Sequence, residues 1–510
     1  MKSPLPRLRT AAPGALALLL SLLFTTAVAA ADDKKKELWK PLPASDLRPS
    51  EPVVEKDADA EALFWEVVIG DQHYMEASFS NYVRIKVFNE RGRDKQSKVE
   101  LPYYSWDQIK DIAARVNRPD GTVVELRKED IFDRTAVKTS GLKVKVKAFA
   151  LPGVEPGSVI EYRWREVRSL GADYLRLDFQ RDIPVRNVTY YFKPDWSIRY
   201  RAINMGGARF EKIEKGSEPG KEFEGFWRMT ATNMPAFREE PRMPPEMSVR
   251  SWVFVYHSAD TKSDSEQYWN DTGRGLYEGL KEVTRPDEEV RAAAATIVGD
   301  AKTDAERLQR LYDFCRAKIK NLSDDASGLT PDERAKLKDN KTPADTLKRG
   351  QGTGGDINYL FAALASAAGF DARMALSGKN DDFFFDRSYM HWSFLGASLV
   401  AVRVGEGWQL FSPASTYTPY GMKPWPVEAQ DVLITDPKQP VWVRSAAAGP
   451  ARSVERRAAK LRLAEDGTLE GDVRVEYTGH LAVEKKELND DDSPAEREKA
   501  LVEAWKAQLG

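Results

Sequence analysis

The stretch that most restricts the fold is residues 341–412, where a glycine-rich turn runs directly into a long apolar helix. The turn spans residues 350–355, and the helix after it has apolar residues on most of its surface. Gly369 is placed to end this helix, because a glycine accepts the left-handed conformation that terminates many helices. Such an apolar helix predicts a central, buried element of a domain rather than a surface helix.

Strand-like segments follow the helix. Residues 370–376 alternate between apolar and polar side chains as in a half-buried strand, and segments 389–394 and 407–413 come next. Together with the turn, this order resembles the transglutaminase-like domain, a papain-like thiol fold. Its signature is a Gly-x-Gly-(Asp/Thr)-Cys-x-Asp turn, then a histidine on a strand, then an Asp-Pro on the next strand. The resemblance implies an α+β domain, which we place at residues 262–440.

The resemblance puts the nucleophile at Gly354, the general base at His391 and the acid that orients the base at Ser412. A thiol mechanism needs a sulfur, an imidazole that takes its proton and a third group that holds the imidazole in place. Gly354 has no side chain, and Ser412 lacks a charge, so only His391 is retained. The sequence therefore predicts a degenerate site with no intact catalytic set.

The chain has one cysteine, Cys315, which excludes an intramolecular disulfide. It falls on the apolar stripe of a predicted helix that starts with the capping box Thr303-x-x-Glu306. A buried thiol is inert, so we expect Cys315 to be a core residue and not a displaced nucleophile.

Cofactor and metal sites are not indicated. Residues 350–355 formally fit Gly-x-Gly-x-x-Gly, but the preceding residues 343–349 favour a helix or loop instead of the strand that a dinucleotide site requires. His73, His257 and His480 have no ligand spacing, so we expect no metal. Lys and Arg total 77 against 79 Asp and Glu, which gives no reason to expect nucleic acid as a partner.

The first half of the chain is rich in short alternating segments. Over residues 60–260 these predict an antiparallel β-sandwich with one polar face on each sheet. The phrases at 117–122 and 151–158 resemble a domain of unknown function that commonly precedes transglutaminase-like domains in exported bacterial proteins. Before it, residues 31–59 are charged and proline-containing, and we expect them to form a flexible arm.

The two ends of the chain carry further signals. Residues 1–30 have basic residues, a short apolar run and a small-residue cleavage site, which predicts a signal peptide and an exported, periplasmic or secreted protein without an integral membrane segment after cleavage. Residues 455–510 predict a hairpin around Asp466 and Gly467, then a helix. This pair either docks on the sandwich or begins a further β-domain.

The sequence thus predicts a multi-domain protein of β and α+β class: an N-terminal antiparallel β-sandwich, a transglutaminase-like α+β domain and a small C-terminal β element. The function we expect is non-catalytic binding or scaffolding in the cell envelope, with a peptide or glycan chain in the vestigial groove. Tyr389, Trp392 and Tyr417 are candidates to line that groove, although aromatic residues in such numbers are more often core. The alternative function is a peptide-amide hydrolase or acyltransferase that uses an unconventional site.

Overall fold

The computed structural model describes residues 39–73, 76–139, 142–169, 174–193, 198–206, 209–215, 223–257, 264–324, 329, 333, 336–490 and 492–509. The predicted signal peptide lies outside these residues. The helices are α1 Ala44–Leu47, α2 Glu90–Gln96, α3 Glu246–Val249, α4 Ser265–Leu280, α5 Glu288–Val298, α6 Asp304–Lys318, α7 Pro343–Arg349, α8 Gly354–Ala367, α9 Gly479–Glu487 and α10 Pro494–Leu509.

The strands of the N-terminal half are β1 Ala60–His73, β2 Glu76–Val87, β3 Lys98–Tyr104, β4 Gln108–Asn117, β5 Val123–Glu125, β6 Ile131–Thr139, β7 Leu142–Ala150, β8 Val159–Ser169, β9 Tyr174–Asp178, β10 Val185–Phe192, β11 Ile198–Ile203, β12 Glu211–Lys212, β13 Trp227–Met234 and β14 Trp252–His257. Those of the C-terminal half are β15 Lys320–Asn321, β16 Gln351–Gly352, β17 Ala372–Ser377, β18 Ala397–Val404, β19 Gly407–Phe411, β20 Asp431–Ile434, β21 Val441–Arg444, β22 Glu455–Leu463 and β23 Leu469–Tyr477.

The N-terminal domain is a sandwich with one large sheet. Eight strands lie in the order β12-β13-β10-β1-β2-β8-β4-β5, and two three-stranded sheets, β3-β7-β6 and β11-β14-β9, accompany it. Leu101 and Phe149 from the first small sheet and Leu177 and Val255 from the second share one core with Val83 of the large sheet. The predicted sandwich is confirmed. Strand pairing is antiparallel as expected, except that β1 pairs with β10 in parallel.

Residues 39–59, which we expected to belong to a flexible arm, contact the large sheet, so that prediction is wrong for this part. The Lys40 amide donates to the Tyr82 hydroxyl over 3.1 Å, and Arg84 Nη2 donates to the Lys40 carbonyl over 3.0 Å. Farther along, the Val54 amide donates to the Glu61 carboxylate over 2.7 Å. Side chains of β1 and β2 supply the hydrogen-bond partners that this segment lacks within itself, which composition alone does not reveal.

Arg84, which contacts residues 39–59, also belongs to a buried ion cluster. Glu161 on β8 is 0% exposed and pairs in register with Arg84 on β2 and with Arg115 on β4. Arg84 Nη2 lies 2.8 Å from its carboxylate and Arg115 Nε lies 2.7 Å away, while the Tyr82 hydroxyl also donates to it. Burial acts to raise the pKa of Glu161, but the Tyr82 hydrogen bond and the two guanidinium groups together hold it below its ordinary value.

The second domain is α+β, as predicted. Its antiparallel sheet has the order β19-β18-β17-β20-β21. Helix α8 lies against this sheet, and its Leu360 and Phe361 share a core with Cys315 of α6 and Met374 of β17. The apolar helix, its end at Gly369 with φ of +91°, and the strand after it all form where the sequence pattern predicts them.

Local predictions fail at three places. Residues 389–394 form a loop with a 3-10 turn at Trp392–Phe394 instead of a strand, and the following strand β18, Ala397–Val404, was not predicted. The aromatic residues of that loop resemble those of a buried strand because Tyr389 and Phe394 pack against the N-terminal domain. Residues 90–92, Glu-Arg-Gly after an alternating segment, predict a turn, but they begin helix α2 because the Asn89 side chain accepts from the Gly92 amide as an N-cap.

The C-terminal hairpin forms around Gly467, with Leu463 opposite Leu469 and a φ of +87° at the glycine. Its strands are solvent-exposed along almost their whole length and do not dock on the sandwich. The contacts of this region go to the α+β domain instead, where His480 Nε2 lies 3.1 Å from Glu428 Oε1. Within the part of the chain that the structure describes, no helix is both long and apolar enough to span a bilayer.

Candidate functional site

The candidate site lies at the N-terminus of α8, where the turn between α7 and α8 places backbone amides at the surface. Gly350 ends α7 in the left-handed region, with φ of +63°. Gly352 is required by close packing, because a Cβ there would lie 2.8 Å from Asp356 Cβ. Thr353 and Asp356 then form a capping box, which satisfies free amides at the helix end. The turn is thus rigid and presents the helix N-terminus in a fixed geometry.

Gly354 is the first residue of α8. Its amide donates to Ser323 Oγ over 3.1 Å. A Cβ added there would lie 3.6 Å from Ala414 Cβ and 3.9 Å from Asn321 Nδ2, and both are ordinary contacts. Packing therefore leaves room for a side chain. A glycine at this position is therefore not required by the packing around it.

Cys315 does not replace that nucleophile. It is 0% exposed on α6, and its neighbours in the core include Leu311 and Leu360. Burial raises the pKa of its thiol well above the ordinary range, so the nucleophilic thiolate is not formed at physiological pH. The capping box of Thr303 and Glu306 is present at the start of this helix. The predicted structural role of Cys315 is confirmed.

His391 lies in the loop six residues before β18, packed on the N-terminal domain. Its ring makes edge contacts with Tyr174, Phe254 and Tyr256, at centroid distances of 5.7, 5.3 and 5.4 Å. Nδ1 lies 2.7 Å from Ser393 Oγ. The histidine is buried and belongs to the interface of the two domains. The expected placement of a histidine on a strand is therefore wrong for His391.

The strand after this loop, β18, places Ser398 on the face that packs against α8. Val400 and Val402 of β18 pack with α8, so alternation puts Ser398 on the same face. Asn358 of α8 donates to the Ser398 carbonyl over 3.1 Å, which brings this strand end beside the first turns of the helix. Of the residues described, those within 4 Å of a Cβ at Gly354 are Ala414 and Asn321, and neither is an imidazole.

Ser412 directly follows β19 and is mostly buried. Its carbonyl accepts from the Tyr312 hydroxyl over 3.2 Å. Its hydroxyl provides no charge for stabilising an imidazolium. Ala414, two residues after Ser412, lies 3.6 Å from a Cβ placed at Gly354, whereas the ring of His391 packs against the N-terminal domain.

A cavity of about 660 Å³ opens in front of the helix N-terminus. Its lining includes Ser323, Asn340, Gln351, Thr353 and Asp356. The parallel pairing of β15 with β16, Lys320 opposite Gln351, brings the two sides of this cavity together. Sequence reasoning missed Ser323 and Asn340, because the contact joins segments about thirty residues apart through a two-residue ladder that has no pattern of its own.

The three aromatic residues proposed to line a groove lie in different places. Tyr389 packs against Phe383 and Phe394 in the domain interface. Trp392 is half exposed, and its amide donates to the Tyr268 hydroxyl of α4 over 3.2 Å. Tyr417 lines a cleft against the C-terminal helices, 5.6 Å from Lys486 Nζ. They do not form one wall.

Metal-binding residues show no cluster in the described ranges, where three or more His, Cys, Asp or Glu side chains do not meet in a geometry that could hold an ion.

The fold is a β-sandwich joined to an α+β domain whose apolar helix α8 begins at the candidate site. Residues 291–413 match the model of the transglutaminase-like superfamily. Residues 76–238 match a domain of unknown function with a solved structure, DUF3857. The chain therefore carries a transglutaminase-like domain preceded by a DUF3857 domain, as the sequence motifs indicated. A comparison with curated proteins gave no match.

The solved structures that match this chain do so at low identity. A proposed protease from Parabacteroides distasonis is 13% identical, with 76% of this chain and 72% of that chain covered and a TM-score of 0.49. A proposed cysteine protease from Cytophaga hutchinsonii is 10% identical, with 68% of this chain and 78% of that chain covered and a TM-score of 0.19. An M1 zinc metallopeptidase from Deinococcus radiodurans is 15% identical, with 39% and 42% covered and a TM-score of 0.20. The assignment rests on the two family models.

Proposed function

We propose that this protein is an exported, non-catalytic member of the transglutaminase-like superfamily that binds an extended peptide in the cavity at the N-terminus of α8. The observation that carries the proposal is Gly354 at the nucleophile position, together with a single cysteine that is buried in the core. Export is supported by the signal-like pattern of residues 1–30.

The cavity offers both polar and apolar groups to a peptide. Its walls carry the apolar side chains of Leu322 and Leu337 beside the hydroxyl groups of Ser323 and Thr353 and the side-chain amides of Asn340 and Gln351. Hydroxyls and amides can both donate and accept, which matches the alternating N–H and C=O groups of an extended peptide. The helix N-terminus beside them favours the carbonyl end of a peptide dipole or a chain-terminal carboxylate.

The experiment is to measure peptide binding with a blocking variant and a matched control on the neighbouring strand. Gln351→Trp puts a large ring into the cavity, while Lys320→Trp puts the same ring on the opposing residue of the β15–β16 pair, where the side chain is exposed and does not line the cavity. Fluorescence anisotropy with a labelled library of extended ten-residue peptides reports binding to the full chain.

We expect peptides selected on the wild-type chain to lose binding in Gln351→Trp and to keep it in Lys320→Trp. Equal binding by both variants would place the peptide elsewhere and overturn the proposal. Turnover of any library peptide by the wild-type chain, detected by mass spectrometry, would instead favour the hydrolase alternative.

A further inference from the structure

A second groove lies on the N-terminal sandwich, away from the helix-terminal cavity. It has a volume of about 550 Å³. The turn between β3 and β4 forms one side, and the end of β8 with the start of β9 forms the other. Residues from all three sheets of the sandwich meet here, so the groove is built on rigid elements.

Two exposed aromatic rings form a platform at the edge of this groove. Tyr104 is 47% exposed and Trp106 is 52% exposed, and their rings stack at a centroid distance of 5.0 Å and an angle of 13°. The turn that carries them is fixed, because the Asp107 amide donates to the Tyr104 carbonyl over 2.9 Å and Asp107 Oδ1 accepts from the Ser169 amide over 2.9 Å. Large exposed aromatic surface that is held in place is typical of a binding site.

Fixed polar groups line the groove next to the rings. Asp107 is almost fully buried, and burial raises the pKa of its carboxyl group. Arg168 is held by two hydrogen bonds to Glu166, of 2.6 and 3.0 Å, and Arg176 Nε donates to Asp178 over 2.7 Å. Planar carboxylate and guanidinium groups offer paired acceptors and donors at set positions.

The charges of the lining balance. Asp107 and Glu166 provide two carboxylates, and Arg168 and Arg176 provide two guanidinium groups. This favours an uncharged ligand that is rich in hydroxyl groups over an acidic or basic polymer. A sugar ring has one apolar C–H face that stacks on an aromatic ring, and neighbouring hydroxyls that pair with carboxylate and guanidinium groups.

We propose that this groove binds an uncharged oligosaccharide, with a pyranose ring on Trp106 and Tyr104 and its hydroxyls on Asp107 and Arg168. A proline-rich peptide, which aromatic grooves also recognise, is less well matched. Its prolyl rings insert between aromatic residues that stand apart, whereas the rings of Tyr104 and Trp106 stack directly on each other and leave no gap between them. The site lies on a different domain from the peptide cavity, so either proposal can fail without the other.

Calorimetric titration of the full chain with maltohexaose, cellohexaose, xylohexaose, mannohexaose and chitohexaose tests the groove. We expect at least one of these sugars to bind. Trp106→Ala should weaken that binding at least about tenfold, which corresponds to losing about 1.4 kcal/mol of contact. Phe132→Ala is the control, because Phe132 is another exposed aromatic residue of the same domain, 64% exposed, that does not line the groove.

Asp107→Asn is a second variant that keeps the size of the side chain and removes its charge, and it should also weaken binding. Circular dichroism confirms that each variant is folded. The proposal is overturned if none of the five sugars binds, if both groove variants bind as well as the wild-type chain, or if decaproline binds and Trp106→Ala abolishes that binding while the sugars do not compete.

Discussion

Returning a thiol to the helix terminus tests the account of the degenerate site. In Gly354→Cys the added Cβ would lie 3.6 Å from Ala414 Cβ, an ordinary contact, so we expect the variant to fold normally. Replacing glycine in a helix also favours the helix by a few tenths of a kcal/mol. The new thiol stands at the N-terminus of a 14-residue helix, where the helix dipole lowers a thiol pKa.

The expected difference in labelling rate follows from the different solvent access of Cys315 and of the thiol in Gly354→Cys. Cys315 is fully buried and reacts only when its domain opens, and an opening free energy of at least about 5 kcal/mol slows labelling by a factor of at least about 1,000. The thiol introduced at Gly354 needs no opening, because the position is only half-buried. Labelling in the native state should therefore separate into one fast thiol and one protected thiol.

Ellman's reagent under native and denaturing conditions provides the assay. The wild-type chain should react with no reagent quickly in the native state and with one equivalent after unfolding. Gly354→Cys should react with one equivalent quickly in the native state and with two equivalents after unfolding. Gly275→Cys is the control, since it puts an exposed thiol inside α4, away from a helix end. Near pH 6 the thiol at Gly354 should react faster than this control, because more of it is ionised.

Two results would refute the reasoning. Fast native labelling of wild-type Cys315 would mean that the thiol is accessible and would revive the enzyme interpretation. Hydrolysis of a peptide amide by Gly354→Cys would mean that an imidazole reaches the helix terminus after all, contrary to the packing of His391 on the N-terminal domain.

Two further predictions concern stability. Glu161→Gln should lower the free energy of unfolding in urea by about 3 kcal/mol, because it leaves two guanidinium groups around an uncharged partner. The control is Glu100→Gln, which removes an exposed pair with Arg134 and should change the free energy of unfolding by less than about 0.5 kcal/mol. Since the folded pKa of Glu161 is depressed, its contribution is fully present above about pH 4.3 and is lost as pH falls below that value, so the variant should lose less stability on acidification than the wild-type chain. Trp252→Ala, at a fully buried side chain between the domains, should cost about 3–5 kcal/mol and split the calorimetric transition in two; one transition at an unchanged temperature would contradict this.

The sequence predicts those features whose cause is local. The capping box at Thr303, the apolar stripe with Cys315 and the turn at Gly467 all form as expected, because each depends on residues within one or two helical turns or one hairpin. The ion cluster at Glu161 is different. Its members come from three strands and meet only through sheet register, which no local pattern specifies.

The candidate site is predictable only in part for the same reason. The turn before α8 identifies Gly354, but the position of the histidine depends on where the next strand begins. Residues 389–394 carry aromatic side chains that suggest a strand, yet Tyr389, His391 and Phe394 pack at the interface with β9 and β14 of the other domain. The local pattern therefore predicts a strand at His391, whereas the strand of the structure starts six residues later, at Ala397.

The position of His391 is explained by the interface between the two domains. His391 makes ring contacts with three aromatic residues of the N-terminal domain, and Nδ1 is engaged by Ser393 within its own loop. These contacts give the side chain a packing role that is independent of proton transfer. The joint between the two domains is therefore sufficient to account for the position of His391 in this chain.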